Sequence, residues 1–180
     1  MEPSDGRHLR AAEVPEHLRL GQVGFPNLLA LSSVQWAGPN GGHIGFAPIL
    51  PPDGRQVYEL YLKNQELSAK HGFDFYAGFH LYGRHMAHID VILFDLDDDD
   101  MKVRAHELFL DLVTESRRRG YSEYRAHIDY MDLVGEQYDF NGHALRRAQE
   151  RIKDALDPKG ILSPGKQGVW PADRRAARTR

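Results

Sequence analysis

Apolar and polar residues alternate through two neighbouring stretches in the middle of the chain. In residues 73–82 the apolar side is Phe73, Phe75, Ala77, Phe79 and Leu81. After a turn at Gly83-Arg84, a second apolar side is formed by Ala87, Ile89, Val91 and Leu93. A period of two places successive side chains on opposite faces of a strand. The two stretches therefore predict a β-hairpin.

Three other segments predict helices. The first covers residues 55–71 with apolar residues at helical spacing and ends at Gly72. The second covers about residues 99–119, where an acidic start and a basic end match the helix dipole. The third runs from His143 to Leu156 and stops at Asp157-Pro158, because a residue before proline avoids helical backbone.

Short extended runs at residues 43–50 and 121–128 predict two further strands. The resulting order is strand, helix, strand, strand, helix, strand, helix. This order indicates an α+β, ferredoxin-like fold, in which helices cover one face of an antiparallel sheet. Around this domain, residues 23–171, we expect a polar N-terminal extension at 1–22 with a short helix near Glu16–Leu20. We also expect a disordered basic tail at 172–180.

The composition narrows the class of protein. The chain has 180 residues, enough for one domain with a core, and a formal net charge of −3. That charge gives no reason to expect nucleic acid or an anionic membrane as a partner. The absence of cysteine excludes disulfides and thiolate metal sites. No run approaches ~18 consecutive apolar residues, and the polar N-terminus lacks the apolar core of a signal peptide. We therefore expect a cytoplasmic protein.

The last fifth of the chain contains a helix stop followed by two tight turns, Lys159-Gly160 and Pro164-Gly165-Lys166. Together with Gly42-His43, His85-Met86-Ala87-His88 and Glu123-Tyr124-Arg125, it resembles the C-terminal, cap-plus-tail portion of the vanillyl-alcohol oxidase and 4-cresol dehydrogenase family of FAD-linked oxidases. The likeness runs from about Gly24 to Pro171. It implies an FAD-dependent oxidoreductase that oxidises para-substituted phenols (vanillyl alcohol, eugenol or cresol type) by hydride transfer to the flavin.

His43 is the first candidate for cofactor binding. In the resembling family, a histidine at this place is covalently bonded to the flavin in the histidyl-linked members. That bond needs a neutral imidazole nucleophile and a nearby group that takes its proton. The two preceding glycines allow close backbone approach to a bulky group. A hydrogen-bonded, inert histidine at a strand start is the alternative.

Tyr124 and Arg125 are the candidate catalytic residues. In the resembling family this pair holds the substrate phenol as phenolate. Arginine suits that role because it stays cationic and offers several directed donors. Adjacent residues on a regular strand point to opposite faces, so both reach one pocket only if the segment is bulged or ending. A sheet tyrosine beside a salt-bridged arginine is the alternative.

His88 and Lys166 are further candidates for cofactor binding. The family has an Arg-x-Met-His-His-like segment, which Arg84, Met86 and His88 match, whereas Ala87 replaces its first histidine. The resemblance implies that His88 lines the flavin region. Lys166 lies in the second turn, where it approaches the flavin or serves as a charged turn residue. We expect no metal site, since His85 and His88 would face opposite ways on a strand.

The resemblance also implies partners. Complete family members have an N-terminal domain that wraps the adenine diphosphate of FAD, and no glycine-rich strand–loop–helix motif supplies it here. We therefore expect a missing or separately encoded FAD-binding domain, without which the chain is inactive. A cytochrome or oxygen would accept the electrons, and a homo-oligomer is compatible with the sequence. Two alternatives stay open: an oxidase of hydroxy acids, and a non-catalytic fragment or partner subunit.

Overall fold

A computed structural model describes residues 11–13 and 38–175 of the chain. Most of the N-terminal extension, including the helix expected near Glu16–Leu20, lies outside the described residues. The strands are β1 (Gly41–Phe46), β2 (Pro48–Leu50), β3 (Ala77–Leu81), β4 (Met86–Asp95) and β5 (Ser122–Glu123). The α-helices are α1 (Gly54–Lys70), α2 (Asp99–Arg118), α3 (Met131–Gly135), α4 (Phe140–Leu156) and α5 (Ala172–Arg175). Short 3-10 helices occupy Ala11–Glu13, Gly38–Asn40, Ile128–Tyr130 and Lys166–Gly168.

The strands form one antiparallel sheet. β4 pairs with β3 on one side, from Ala77↔Asp90 to Leu81↔Met86. On the other side β4 pairs with β1 and β2, which follow each other in the same register. β5 then pairs with β2 at the far edge. Because β1 and β2 act as one strand, the spatial order is that of the ferredoxin-like fold, and this prediction is confirmed.

The sheet buries one face under the helices. Ile44 and Phe46 of β1 point inward with Ile92 and Phe94 of β4, and α2 covers them with an apolar stripe. Phe109 of α2 meets Phe46 edge to face, with ring centroids 5.9 Å apart. The remaining members of this core are Leu67, Phe73, Ala105, Leu108, Leu112, Val113 and Tyr130.

Asp53 and Asp98 cap the N-termini of the long helices α1 and α2. The side chain of Asp53 accepts from the backbone N–H of Arg55 at 2.9 Å, and Asp98 accepts from that of Met101 at 2.8 Å. Each carboxylate satisfies an amide that the first helical turn leaves unpaired. The acidic run at residues 97–100 is therefore a helix start, as its position before α2 predicts.

Two predicted strands are shorter than expected. β3 begins only at Ala77, and its apolar side chains Phe79 and Leu81 are 42% and 67% exposed. β5 has two residues, and the chain then turns through a 3-10 helix into α3, which the sequence pattern does not predict. The face of β4 that the helices bury carries His88 and Asp90. The face formed by Ile89, Val91 and Leu93, which the sequence pattern marks as the apolar one, points away from the helices.

The C-terminal helices differ from the core helices. α4 has no buried residue, and its first turn is left-handed from Asn141 to His143. Its regular part therefore begins at Ala144, one residue after the predicted start at His143. α5 occupies the beginning of the expected disordered tail. It is held there because Arg175 donates to the Asp154 carboxylate at 2.6 Å and 2.8 Å. Residues 176–180 lie outside the described part of the chain.

Candidate active site

The face of the sheet opposite the helices carries a shallow cavity, which we call the open-face cavity. Alternation along β1 turns His43 and Gly45 toward it, because Ile44 and Phe46 occupy the buried face. Alternation along β4 does the same for Ile89 and Val91. The cavity measures about 450 Å³. It is lined by His43, Gly45, Ala47, Ile89, Val91, Glu123, Arg125, Ala126 and His127.

Glycines on both sides of His43 have separate structural reasons. A Cβ on Gly42 would lie 2.7 Å from the Phe94 ring, so only glycine fits at this buried position, next to the exposed His43. A Cβ on Gly45 would meet nothing within 4 Å, so this position leaves open space on the cavity side. The floor formed by Gly45, Ile89 and Val91 is therefore flat and apolar, with an exposed imidazole at its edge. A flat, aromatic cofactor ring fits such a floor.

Glu123 is a buried acid in the same cavity, and no pattern in the sequence predicts a role for it. Its side chain has no exposed surface, and Oε1 accepts from the Ala47 backbone N–H at 3.3 Å. Oε2 has no hydrogen-bond partner among the described residues. Burial raises the pKa of this carboxyl to about 8, although the Ala47 N–H and the charge of Arg125 act in the opposite direction. Glu123 is therefore neutral around pH 7.

The break between β1 and β2 positions this acid. Pro48 has no N–H, and the Ala47 N–H turns to the Glu123 side chain. The Ala47 carbonyl accepts from the Tyr124 N–H at 3.3 Å, so the same residue holds the chain on both sides of the Glu123–Tyr124 bond. No local sequence pattern reports this contact, because it joins residues that lie 76 positions apart.

Tyr124 and Arg125 contact each other but line different cavities. The Arg125 guanidinium carbon lies 5.6 Å from the centroid of the Tyr124 ring, within cation–π range. Arg125 lines the open-face cavity, whereas Tyr124 lines a second cavity of about 290 Å³ with Tyr138 and Gln167. The structure therefore does not bring the two candidate catalytic residues into one cavity, although β5 ends at Glu123 and both residues lie in the bend that follows it.

His88 is not in the open-face cavity. It has no exposed surface and lies on the helix side of β4, where its Nε2 is 2.8 Å from Asp90 Oδ1 and its ring stacks on Phe79 at 4.6 Å. Asn64 of α1 donates to the same carboxylate at 2.7 Å. His88 lies on the opposite face of the sheet from His43, because the β1–β4 register pairs His43 with Leu93 and Gly45 with Val91. Its predicted place in the flavin region stays a prediction.

Lys166 lies on a neighbouring surface. It is exposed and belongs to a turn in which Gly165 and Gln167 both have positive φ, 82° and 52°. The turn is joined to the candidate site because Gln167 Nε2 donates to the Tyr124 carbonyl at 2.9 Å. Lys166 itself lines a third cavity of about 540 Å³, beside Asp132 and Trp170. Its predicted approach to the flavin stays a prediction.

The described residues contain no cluster of three or more metal-ligating side chains. Within the same part of the chain, no helix has both the length and the apolar composition that crossing a membrane requires.

Comparisons with known proteins identify the family of this chain. Residues 18–167 match the family described as "FAD linked oxidases, C-terminal domain", and the chain belongs to that family, whose cofactor is FAD. The chain is 32% identical over 146 residues to the 4-cresol dehydrogenase [hydroxylating] flavoprotein subunit of Pseudomonas putida. That match covers 81% of this chain and 27% of the relative.

Two solved structures are similar as well. The 4-ethylphenol oxidase of Gulosibacter chungangensis, solved with isoeugenol, superposes with a TM-score of 0.80 at 37% identity and covers 90% of this chain and 32% of that protein. A substrate-bound p-cresol methylhydroxylase superposes with a TM-score of 0.75 at 31% identity and covers 82% of this chain and 28% of that protein. This chain thus spans about a third or less of each of these proteins.

Proposed function

We propose that this chain forms the substrate-facing part of an FAD-dependent oxidoreductase that oxidises para-substituted phenols. The observation that carries the proposal is the open-face cavity, in which an exposed imidazole and an arginine flank a flat apolar floor. The names of the relatives support the substrate class, since they are a 4-cresol dehydrogenase, a 4-ethylphenol oxidase and a p-cresol methylhydroxylase.

Arg125 holds the substrate in the ionised form. A guanidinium beside a phenol favours the phenolate, because an opposite charge stabilises the ionised state. The Tyr124 ring packs against this guanidinium and fixes the position of Arg125. The Tyr124 hydroxyl lies on the side of the second cavity, so it donates to a ligand only if that ligand spans both cavities. Within this arrangement Arg125 is the phenolate-binding residue and Tyr124 is a positioning residue.

His43 is the point at which FAD is attached. It projects from β1 over the floor on which a flat ring fits, and it is exposed rather than buried in a polar network. When bound, FAD supplies the acceptor for the hydride from the benzylic carbon of the phenol. Within this cavity His43 would hold the flavin and Arg125 would hold the phenolate, which would keep cofactor and substrate close to each other.

The activity requires a flavin-binding domain. The relatives are about three times as long as this chain, and we propose that a region beyond the part matched here binds the adenine diphosphate. We propose that the electrons leave to oxygen or to a second protein such as a cytochrome. Both outcomes have precedent in the names of the relatives, which include an oxidase and the flavoprotein subunit of a dehydrogenase.

The test is anaerobic reduction of the reconstituted enzyme. The chain is co-expressed with the N-terminal, flavin-binding region of a family member, purified, and mixed with 4-ethylphenol or with lactate. We expect loss of the oxidised-flavin absorbance with the phenol and not with lactate. Reduction by lactate alone would assign a hydroxy-acid substrate, and a stable flavin complex that neither compound reduces would favour a non-catalytic role.

A further inference from the structure

We propose that Glu123 acts as a proton-controlled gate on anion binding at Arg125 in the open-face cavity. The protonated acid admits an anionic oxygen beside the guanidinium, and the ionised acid excludes it. The identity of that anion as a phenolate rests on the function proposed above, whereas the gate itself rests on the geometry of Glu123, Arg125 and Ala47.

Glu123 and Arg125 are two residues apart, and both line the open-face cavity. Glu123 is fully buried and anchored through Oε1 to the Ala47 N–H at 3.3 Å. Oε2 is left without a hydrogen-bond partner among the residues that the structure describes. A buried polar atom without a partner costs free energy, and the cost is larger for an ionised carboxylate than for a neutral acid.

The other residues that line the cavity determine which charges face Glu123. From β1 the cavity receives His43, and from the segment of Glu123 itself it receives Arg125 and His127. β4 contributes only apolar side chains to the lining, Ile89 and Val91. From the helical side, Tyr138 donates to the backbone carbonyl of Glu123 and not to its carboxyl group. Arg125 is therefore the permanently cationic neighbour that the carboxyl group shares with a ligand.

The proton on Glu123 changes the charge near Arg125. The neutral acid adds no negative charge, so the field of the guanidinium remains available to an anionic oxygen. The ionised acid brings a negative charge into the same cavity and competes for the guanidinium. Burial raises the pKa of Glu123 to about 8, so the change falls just above neutral pH. If only the protonated form binds, affinity falls about tenfold between pH 7 and pH 9.

The experiment measures anion binding by the full chain without flavin. The probe is pentafluorophenol, which stays ionised over the whole range, so its own protonation does not contribute. Dissociation constants are obtained by fluorine NMR from roughly pH 6.5 to 9.5, a window that brackets the pKa of Glu123. The chains compared are wild type, Glu123→Gln, Arg125→Gln and the control Glu66→Gln, whose carboxylate is exposed and paired with Lys63.

We expect affinity to fall about tenfold from pH 7 to pH 9 in wild type and in Glu66→Gln. Glu123→Gln should bind with little change over the same range, and Arg125→Gln should bind at least about tenfold more weakly at pH 7. An equal pH-dependent fall in Glu123→Gln would overturn the gate. So would the absence of binding by wild type at every pH, because the cavity would then not be an anion site.

A carbon-detected NMR titration of the glutamate carboxyl groups in wild type keeps the test independent of whether Glu123→Gln folds. A midpoint near the ordinary glutamate value of about 4.3 for this group would overturn the gate. The proposed function fails separately. If binding requires Arg125 but does not depend on pH, the gate is refuted and the phenolate site is retained. If binding depends on pH through Glu123 but phenols do not reduce the reconstituted enzyme, the proposed function is refuted and the gate is retained.

Discussion

The buried acid Glu123 predicts an unusual pH dependence of folding. Its pKa is raised to about 8 in the folded chain from 4.5, so the folded state holds a proton that the unfolded state has released. The sign follows from linkage. Stability from this group is fully present below about pH 4.5 and is lost as the pH rises through the folded pKa near 8.

The magnitude follows from the same two values. Each pH unit between them is worth about 1.4 kcal/mol, so the full window corresponds to at most about 5 kcal/mol. Relaxation of the protein and water entry reduce this figure, and we expect about 2–4 kcal/mol. Glu123→Gln replaces the acid by a neutral amide of similar size that carries no titrating proton. The variant should therefore be equal or lower in stability near pH 5 and higher near pH 9.

The assay is urea unfolding of wild type and Glu123→Gln at several values between about pH 5 and pH 9. Other groups titrate equally in both chains, so the difference between the two free energies of unfolding isolates Glu123. Glu66→Gln, at an exposed carboxylate, should follow wild type throughout. Parallel profiles for wild type and Glu123→Gln would refute the reasoning, because they would show that the buried carboxyl does not hold its proton.

Three further changes have defined outcomes. Glu115→Gln should remove acid sensitivity, since hydrogen bonds from Arg118 and Arg119 lower the Glu115 pKa to about 2. The contribution of Glu115 to the free energy of unfolding, up to roughly 3 kcal/mol, is present above about pH 4.5 and is lost as the pH falls through about 2. Urea unfolding at a series of acidic pH values measures it. Gly165→Ala should cost at least about 2 kcal/mol in urea unfolding, because φ is +82° and a Cβ would lie 2.2 Å from Trp170. The control Gly78→Ala, where a Cβ meets nothing within 4 Å, should change little. His43→Ala should abolish acid-stable flavin in the reconstituted enzyme, measured as fluorescence of the acid-precipitated pellet. A mutant pellet that keeps its flavin would count against attachment at His43.

Sequence periodicity predicts the sheet well because its signal is local. The hairpin of β3 and β4 and the cores of α1 and α2 follow from spacing within each segment. Spacing does not decide which face of β4 is buried, because both faces carry large apolar residues. α3 is only five residues long, which is too short for a helical period to be visible.

Sequence reasoning predicts a site residue's direction only where that direction is set by the residue's place in a strand. The outward direction of His43 follows from alternation. The separation of Tyr124 from Arg125 does not, because both residues lie in a bend beyond the end of β5. The place of His88 on the opposite face follows from the same rule once the buried face is known. Glu123 is different, because its burial depends on a long-range contact with Ala47. No pattern around residue 123 distinguishes it from an exposed glutamate of an edge strand.

The central claim is that Arg125 binds the phenolate from which the flavin takes its hydride, and stopped-flow reduction of the reconstituted enzyme by 4-ethylphenol tests it most directly. Arg125→Lys keeps the charge and loses the planar set of donors, worth roughly 1.5–3 kcal/mol in the transition state. We predict flavin reduction about 10- to 150-fold slower, with reoxidation and melting temperature nearly unchanged. The exposed Arg84→Lys control should match wild type. An unchanged reduction rate in Arg125→Lys would contradict the account.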